Sequence, residues 1–175
     1  SINALKDPAL FNERSATITG TSVEVTAAIS SDIQEFTLEV TNLATKQIEQ
    51  SAAFDNADIE SISGTDGQIK LSIDGQDFLI DYLAGTTLNG LKSLINDAAG
   101  EKVDATVVQV GAMDFRLFIS SVDTGTNQDI SITNTIGTID TRLSEGAGGL
   151  TEIQAGINAN FKFNGQDIIR ESNNV

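Results

Sequence analysis

The sequence predicts a mainly β fold with one short helix, a β-rich α+β chain. Its antiparallel sheets and hairpins are expected in two small domains, one inserted in the other. Three observations carry that prediction. Apolar and polar side chains alternate along most of the short runs between turn residues, as on strands with one buried face. Two near-copies of a tight hairpin turn stand at Asp74-Gly75 and Asn164-Gly165. Only one window has helical periodicity.

Taken in order, the alternation begins at residues 16–19 (Ala-Thr-Ile-Thr) and 22–26 (Ser-Val-Glu-Val-Thr). It resumes where Phe36, Leu38 and Val40 take turns with Thr37, Glu39 and Thr41. The run 69–73 (Ile-Lys-Leu-Ser-Ile) leads into Asp74-Gly75 and a return strand reaching Ile80. Asp-Gly and Asn-Gly pairs tolerate the positive φ angles of a two-residue hairpin turn. Residues 86–100 then place Leu88, Leu91, Leu94, Ile95 and Ala98 at helical spacing. Thr86 or Thr87 is the expected N-cap, and Gly100 is expected to end the helix in the left-handed conformation. Gly90 costs this helix about 1 kcal/mol relative to Ala, so it requires tertiary packing, across a sheet. Runs 103–110, 115–120 and 130–132 follow as strands. The last hairpin runs from 161 through Asn164-Gly165 to 169.

Composition marks the domain boundaries. Residues 56–67 are polar and turn-rich, and the glycine-rich stretch 144–149 reads as the most flexible in the chain. The expected organisation is an outer split β domain, 1–60 plus 144–175, with 61–143 inserted in it. The termini read as continuing sequence, so the chain is expected to be a fragment, with any targeting signal outside it.

What is missing narrows the chemistry. The chain has no histidine, cysteine or tryptophan in 175 residues. Imidazole-based triads, thiol nucleophiles and the usual zinc sites are excluded with them. A formal net charge of -15 argues against nucleic acid, which needs clustered cations, and against an anionic membrane surface. The longest apolar runs are too short to span a bilayer, so no membrane insertion is expected. No cofactor is called for.

Four places are open to chemistry. Asp123-Thr124-Gly125 matches the sequence around an aspartic protease carboxylate, but that mechanism needs two such aspartates, and a loop after a strand explains these residues as a turn. Asp123, Asn127 and Asp129 offer oxygens to calcium, yet Gly125 and Asn134 stand where the calcium-loop pattern requires other residues. Residues 146–149 are glycine-rich without the Lys-Ser/Thr of a phosphate loop. Glu35, Glu39, Glu49, Asp55, Asp58 and Glu60 read as solvated surface charge. A glycosidase pair among them would lack aromatic sugar platforms, since Tyr82 is the single Tyr. No catalytic, cofactor-binding or metal residue is therefore assigned.

Three segments together resemble the bacterial flagellar filament cap proteins, the FliD family. They are Glu35-Phe36-Thr37-Leu38-Glu39-Val40-Thr41-Asn42-Leu43-Ala44; the middle run from the Asp74-Gly75 hairpin through Gly85-Thr86-Thr87-Leu88, Leu94-Ile95-Asn96, Val103-Asp104-Ala105-Thr106-Val107 and Arg116-Leu117-Phe118-Ile119-Ser120-Ser121 to Thr124-Gly125; and Ala159-Asn160-Phe161-Lys162-Phe163-Asn164-Gly165 through Ile169-Arg170-Glu171-Ser172-Asn173-Asn174-Val175. The middle run resembles the flagellin/hook insertion motif. The resemblance implies a non-catalytic head fragment of a flagellar hook-associated protein, with a split second domain and an inserted third. It implies secretion by flagellar export to the extracellular tip of the flagellum. The implied partners are copies of itself in a ring, flagellin, and the hook-filament junction proteins. The alternatives are an outer domain of another hook-associated protein or of flagellin, and an adhesin-type module for glycans or mucins.

Overall fold

The structure is a computed structural model that describes Thr17, Glu24 and residues 36–146 and 148–174. Two compact units divide the chain, 1–36 and 37–175. The expected strands at 16–19 and 22–26 lie outside the described residues.

The second unit contains β1 (Leu38–Asn42), β2 (Ile48–Gln50), β3 (Gly67–Ile73), β4 (Gln76–Tyr82), α1 (Leu88–Ala99), β5 (Val103–Gly111), β6 (Asp114–Ser121), β7 (Ser131–Ile136), β8 (Thr151–Gln154), β9 (Ala159–Phe163) and β10 (Gln166–Arg170). A short 3-10 turn, Thr141–Leu143, precedes β8. The strands form three antiparallel sheets, ordered β1-β9-β10, β5-β6-β2-β8 and β4-β3-β7. The β-rich fold, with one α-helix among the described residues, is as the sequence predicts.

Alternation sets which face of each strand is buried. In β3, Ile69, Leu71 and Ile73 are buried, and Lys70 and Ser72 face outward to Asp77 of β4. Each such apolar side chain contributes about 1.5–3 kcal/mol by leaving water. Leu117 and Ile119 of β6, Val103 and Ala105 of β5, and Ile132 of β7 join the same core. Helix α1 packs against β4 and β5 with Leu88, Leu91, Ile95 and Ala99 inward. The Asn96 side chain bonds both ways to the backbone of Ala105, each at 2.8 Å, taking the place of a neighbouring strand at that edge.

Both hairpin turns take the expected form. Asp74 and Gly75 have φ of 51° and 68°, and Asn164 and Gly165 have 48° and 80°. Positive φ at both central residues defines the turn whose twist matches its strands. The helix starts as expected, with Thr87 Oγ1 accepting from the Gly90 amide at 3.2 Å. It ends differently. Gly100 has φ -63°, right-handed rather than left-handed, and its amide bonds to Asn96 O at 3.0 Å. Glycine suits this position because a Cβ there would collide with the Asn96 carbonyl.

The segment 56–67 is no exposed linker: Ala57 and Ile62 are buried in the core beside Phe54. The stretch 144–149 closes on itself, with Gly149 N bonded to Gly146 O at 3.0 Å and Leu150 N to Ser144 O at 2.9 Å. Its glycines Gly146 and Gly148 supply left-handed backbone.

Candidate functional site

Four constellations of polar or exposed apolar side chains stand out in this unit. The first is centred on Arg142. Asp140 caps the 3-10 turn by accepting from the Arg142 amide, and the guanidinium folds back to bond Asp140 Oδ1 at 2.9 Å and Oδ2 at 2.6 Å. It also reaches Glu60 Oε1 at 2.7 Å and the Ala53 carbonyl at 3.0 Å, and lies 3.7 Å above the Phe54 ring. The hydrogen-bonded guanidinium holds Asp140 below the ordinary carboxylate range, and Arg142 is raised in return. At Glu60 partial desolvation pulls upward, but Arg142 and the amides of Asp55 and Asn56 outweigh it, so the net shift is downward. This constellation ties the 53–62 segment to the 3-10 turn.

The second lies on β2. Glu49, expected on the surface, is only 7% exposed because its strand turns it toward the core side of the sheet. Gln47 Nε2 donates to Glu49 Oε1 at 3.0 Å and, at 3.3 Å, to Asp129 Oδ1. Burial raises the Glu49 pKa, and the charges of Glu152, Asp129 and Glu145 add to the rise against the Gln47 bond. Of the other carboxylates named from the sequence, Asp58 accepts from Asn89 Nδ2 at 2.7 Å, Glu39 and Asp55 are exposed, and Glu35 lies outside the described residues.

The third is the loop after β6. Gly125 adopts φ +115°, and its amide bonds to Thr45 O at 3.1 Å. Thr124 Oγ1 donates to Glu171 O at 2.6 Å, and Asn158 Oδ1 accepts from the Thr126 amide at 2.9 Å. The Asp-Thr-Gly run thus fastens the loop to the C-terminal segment. The would-be calcium ligands point in different directions: Asn127 Nδ2 bonds to Glu171 Oε1 at 2.6 Å, and Asp129 faces Gln47. Among the described residues, no three His, Cys, Asp or Glu side chains stand where they could hold a metal ion. No helix of the described residues is long and apolar enough to cross a membrane.

The fourth is apolar. The β5–β6 hairpin presents Val108, Val110 and Met113 to solvent, Met113 with φ 56° at the turn. Exposed apolar side chains grouped this way suit contact with other macromolecules better than chemistry on small ones. Arg142 and Gln47 are silent in the sequence because isolated polar residues carry no spacing signal; only the buried position on an alternating strand could have marked Glu49.

Sheets, loops and ion pairs together define a β-rich unit whose polar side chains in these constellations bond to its own backbone and to one another. No protein-family model matches the chain. Its curated relatives include the flagellar hook-associated protein 2 of Helicobacter pylori strain J99, 26% identical over 125 residues, covering 71% of this chain and 18% of that protein. The chain therefore spans under a fifth of that relative's length. Among solved structures, the D2-D3 domains of the flagellar cap protein FliD from Escherichia coli match at TM-score 0.76 and 25% identity, over 86% of this chain and 80% of that one. The D1-D2-D3 domains of the same protein match at TM-score 0.81 and 25% identity, over 99% of this chain and 53% of that one. The resemblance to flagellar cap proteins read in the sequence is borne out by both kinds of relative.

Proposed function

We propose that this chain is a non-catalytic head portion of a flagellar filament cap subunit. In the whole protein it sits outside the cell at the filament tip, reached by flagellar export. Copies assemble there as a ring and promote flagellin polymerisation beneath them, and the hook-filament junction proteins are further partners. The carrying observation is the extent of the match: 99% of the chain follows the E. coli D1-D2-D3 structure.

The nested organisation belongs to the same proposal, with its joins redrawn by strand pairing. The sheet β1-β9-β10 is the outer piece. β2 and β8, placed by sequence on the outer side of the joins at 60/61 and 143/144, hydrogen-bond into the sheet of β5 and β6. The inner piece accordingly runs from about Lys46 to Gly156. Copies of the head alone are expected to remain monomeric or weakly associated in dilute solution.

The test is motility rescue. The full-length protein that contains this chain, expressed in a cap-deficient strain of its own species, is expected to restore filament growth. Flagellin secreted into the medium with no filaments formed would overturn the proposal.

A further inference from the structure

Strand β8 is an edge strand, paired only with β2, and all four of its residues are exposed. It spans two anchors. Leu150 before it is buried, and the Ala155 carbonyl after it accepts from Thr45 Oγ1 at 2.7 Å. Between them the ladder pairs Ile48 with Gln154, Glu49 with Glu152 and Gln50 with Thr151. Its register slips between the first two pairs, leaving Ile153 unpaired and exposed. One side-chain bond, from Gln154 Nε2 to Lys46 O at 2.8 Å, reinforces it. With no buried side chain of its own, β8 stays closed by the strength of these few cross-strand pairs.

The central pair of that ladder is two glutamates, Glu49 buried and Glu152 exposed. Like charges directly opposite on neighbouring strands repel. Other acidic groups add to the charge around Glu49. Asp129, ahead of β7, shares with it the Gln47 side-chain amide, which donates to Glu49 at 3.0 Å and to Asp129 at 3.3 Å. Glu145, ahead of β8, contributes a further negative charge, and β6 sets the neutral Ile119 opposite Glu49. Lys46, the nearest cation along the chain, is exposed while Gln47 and Glu49 are buried, so alternation places it on the other face. Burial and this ring of carboxylates hold the Glu49 proton to higher pH than an exposed carboxyl keeps its own. Release of β8 hydrates Glu49 and moves Glu152 away, so the open form ionises more readily. The closed form is therefore fully favoured below the ordinary carboxylate range and loses that advantage as pH rises through the raised value.

The geometry points to a proton-operated sheet edge. With Glu49 protonated, β8 lies closed on β2; with Glu49 ionised opposite Glu152, β8 is released more often and bares the β2 edge to another strand. This inference stands independently of the filament cap reading.

Native-state hydrogen exchange of the ¹⁵N-labelled chain, followed from about pH 4.5 to about pH 8, tests it. Protection of the β8 amides, corrected for the chemical pH dependence of exchange, is expected to fall about five- to tenfold over this range. Low urea is expected to leave that exchange unchanged, as for a local opening, while the β3–β4 amides respond to urea through global unfolding. Glu49→Gln is expected to abolish the step and keep β8 at its low-pH protection throughout. Glu152→Gln, at an exposed position, is expected to shrink the step, since the burial of Glu49 remains. Asp97→Asn, on the exposed side of α1, is expected to leave it intact. A level β8 profile, an undiminished step in Glu49→Gln, or β8 exchange as steep in urea as that of β3–β4 would overturn the proposal. If Glu49→Gln does not fold, Glu152→Gln decides it, and a step of unchanged size there would overturn it equally.

Discussion

Removing the Arg142 side chain tests how much of this fold depends on one cation. In Arg142→Ala the guanidinium loses carboxylate partners at 2.6 Å (Asp140) and 2.7 Å (Glu60), whose side chains are 24% and 29% exposed. Partial exposure discounts each pair to about 1 kcal/mol. The stack 3.7 Å above Phe54 contributes about 1 kcal/mol more, and the bond to the Ala53 carbonyl a similar amount. Allowing for coupling among groups that share one side chain, the expected loss is about 3 kcal/mol. That corresponds to a fall in Tm of roughly 6–12 °C for a unit of this size. Arg142→Lys keeps the charge but not the planar fork, and should lose about half as much. Urea unfolding of the three proteins measures this directly. Asp140 and Glu60 both sit below their ordinary ranges. The Arg142-dependent stability is therefore full at neutral pH and drains away as pH falls through their folded values, below about pH 4. A loss under about 1 kcal/mol for Arg142→Ala, or Arg142→Lys indistinguishable from the parent, would refute the reasoning.

Other perturbations separate burial, backbone and packing. Glu49 has a folded pKa raised by burial, so its ionisation opposes folding as pH rises through that value. Glu49→Gln should make the protein more stable near pH 7 and leave it nearly unchanged near pH 4, measured by thermal melts at both. Tyr82 is 2% exposed and its hydroxyl lacks a partner among the described residues; Tyr82→Phe should be neutral or stabilising by up to about 1 kcal/mol in urea unfolding. Gly67→Ala drives a Cβ into the Tyr82 ring and toward the Ile136 carbonyl at 2.6 Å, so a loss of roughly 2–3 kcal/mol is expected by the same measurement. Gly75→Ala meets open space but keeps φ +68°. Its cost, about 1–2 kcal/mol, is conformational alone, and a core-like loss would contradict the turn assignment.

Local rules made most strands and both hairpins legible. Alternation along 69–73 needs only a buried face, and Asp-Gly or Asn-Gly needs only two positive φ angles. The third hairpin was opaque because Ala112-Met113 is no turn signal, yet Met113 accepts φ 56° there. β2 and β8, with three and four residues, are strands only because β6 and one another offer partners. Gly100 misled because glycine after a helix usually supplies left-handed backbone, whereas here it relieves a collision with Asn96. At the sites, the Asp123 loop was conspicuous in sequence, but its fastening to Glu171 was not. Arg142 acquires its meaning from Ala53, Phe54 and Glu60, distant in sequence.

In the proposed nested organisation, the chain would enter and leave the inner piece through the neighbouring strands β1 and β9. Thr45 N bonds to Ile157 O at 3.0 Å, Thr45 Oγ1 to Ala155 O at 2.7 Å, and Asn42 Nδ2 to Asn158 O at 2.8 Å. This neck is already the mouth of a hairpin, so any insert, from a short turn to a whole domain, bridges the same small gap. Loop-closure entropy grows only logarithmically with the length of what is carried. In the proposed nested organisation the inner piece would be a cassette, open to lengthening, shortening or exchange while β1 and β9 stay paired.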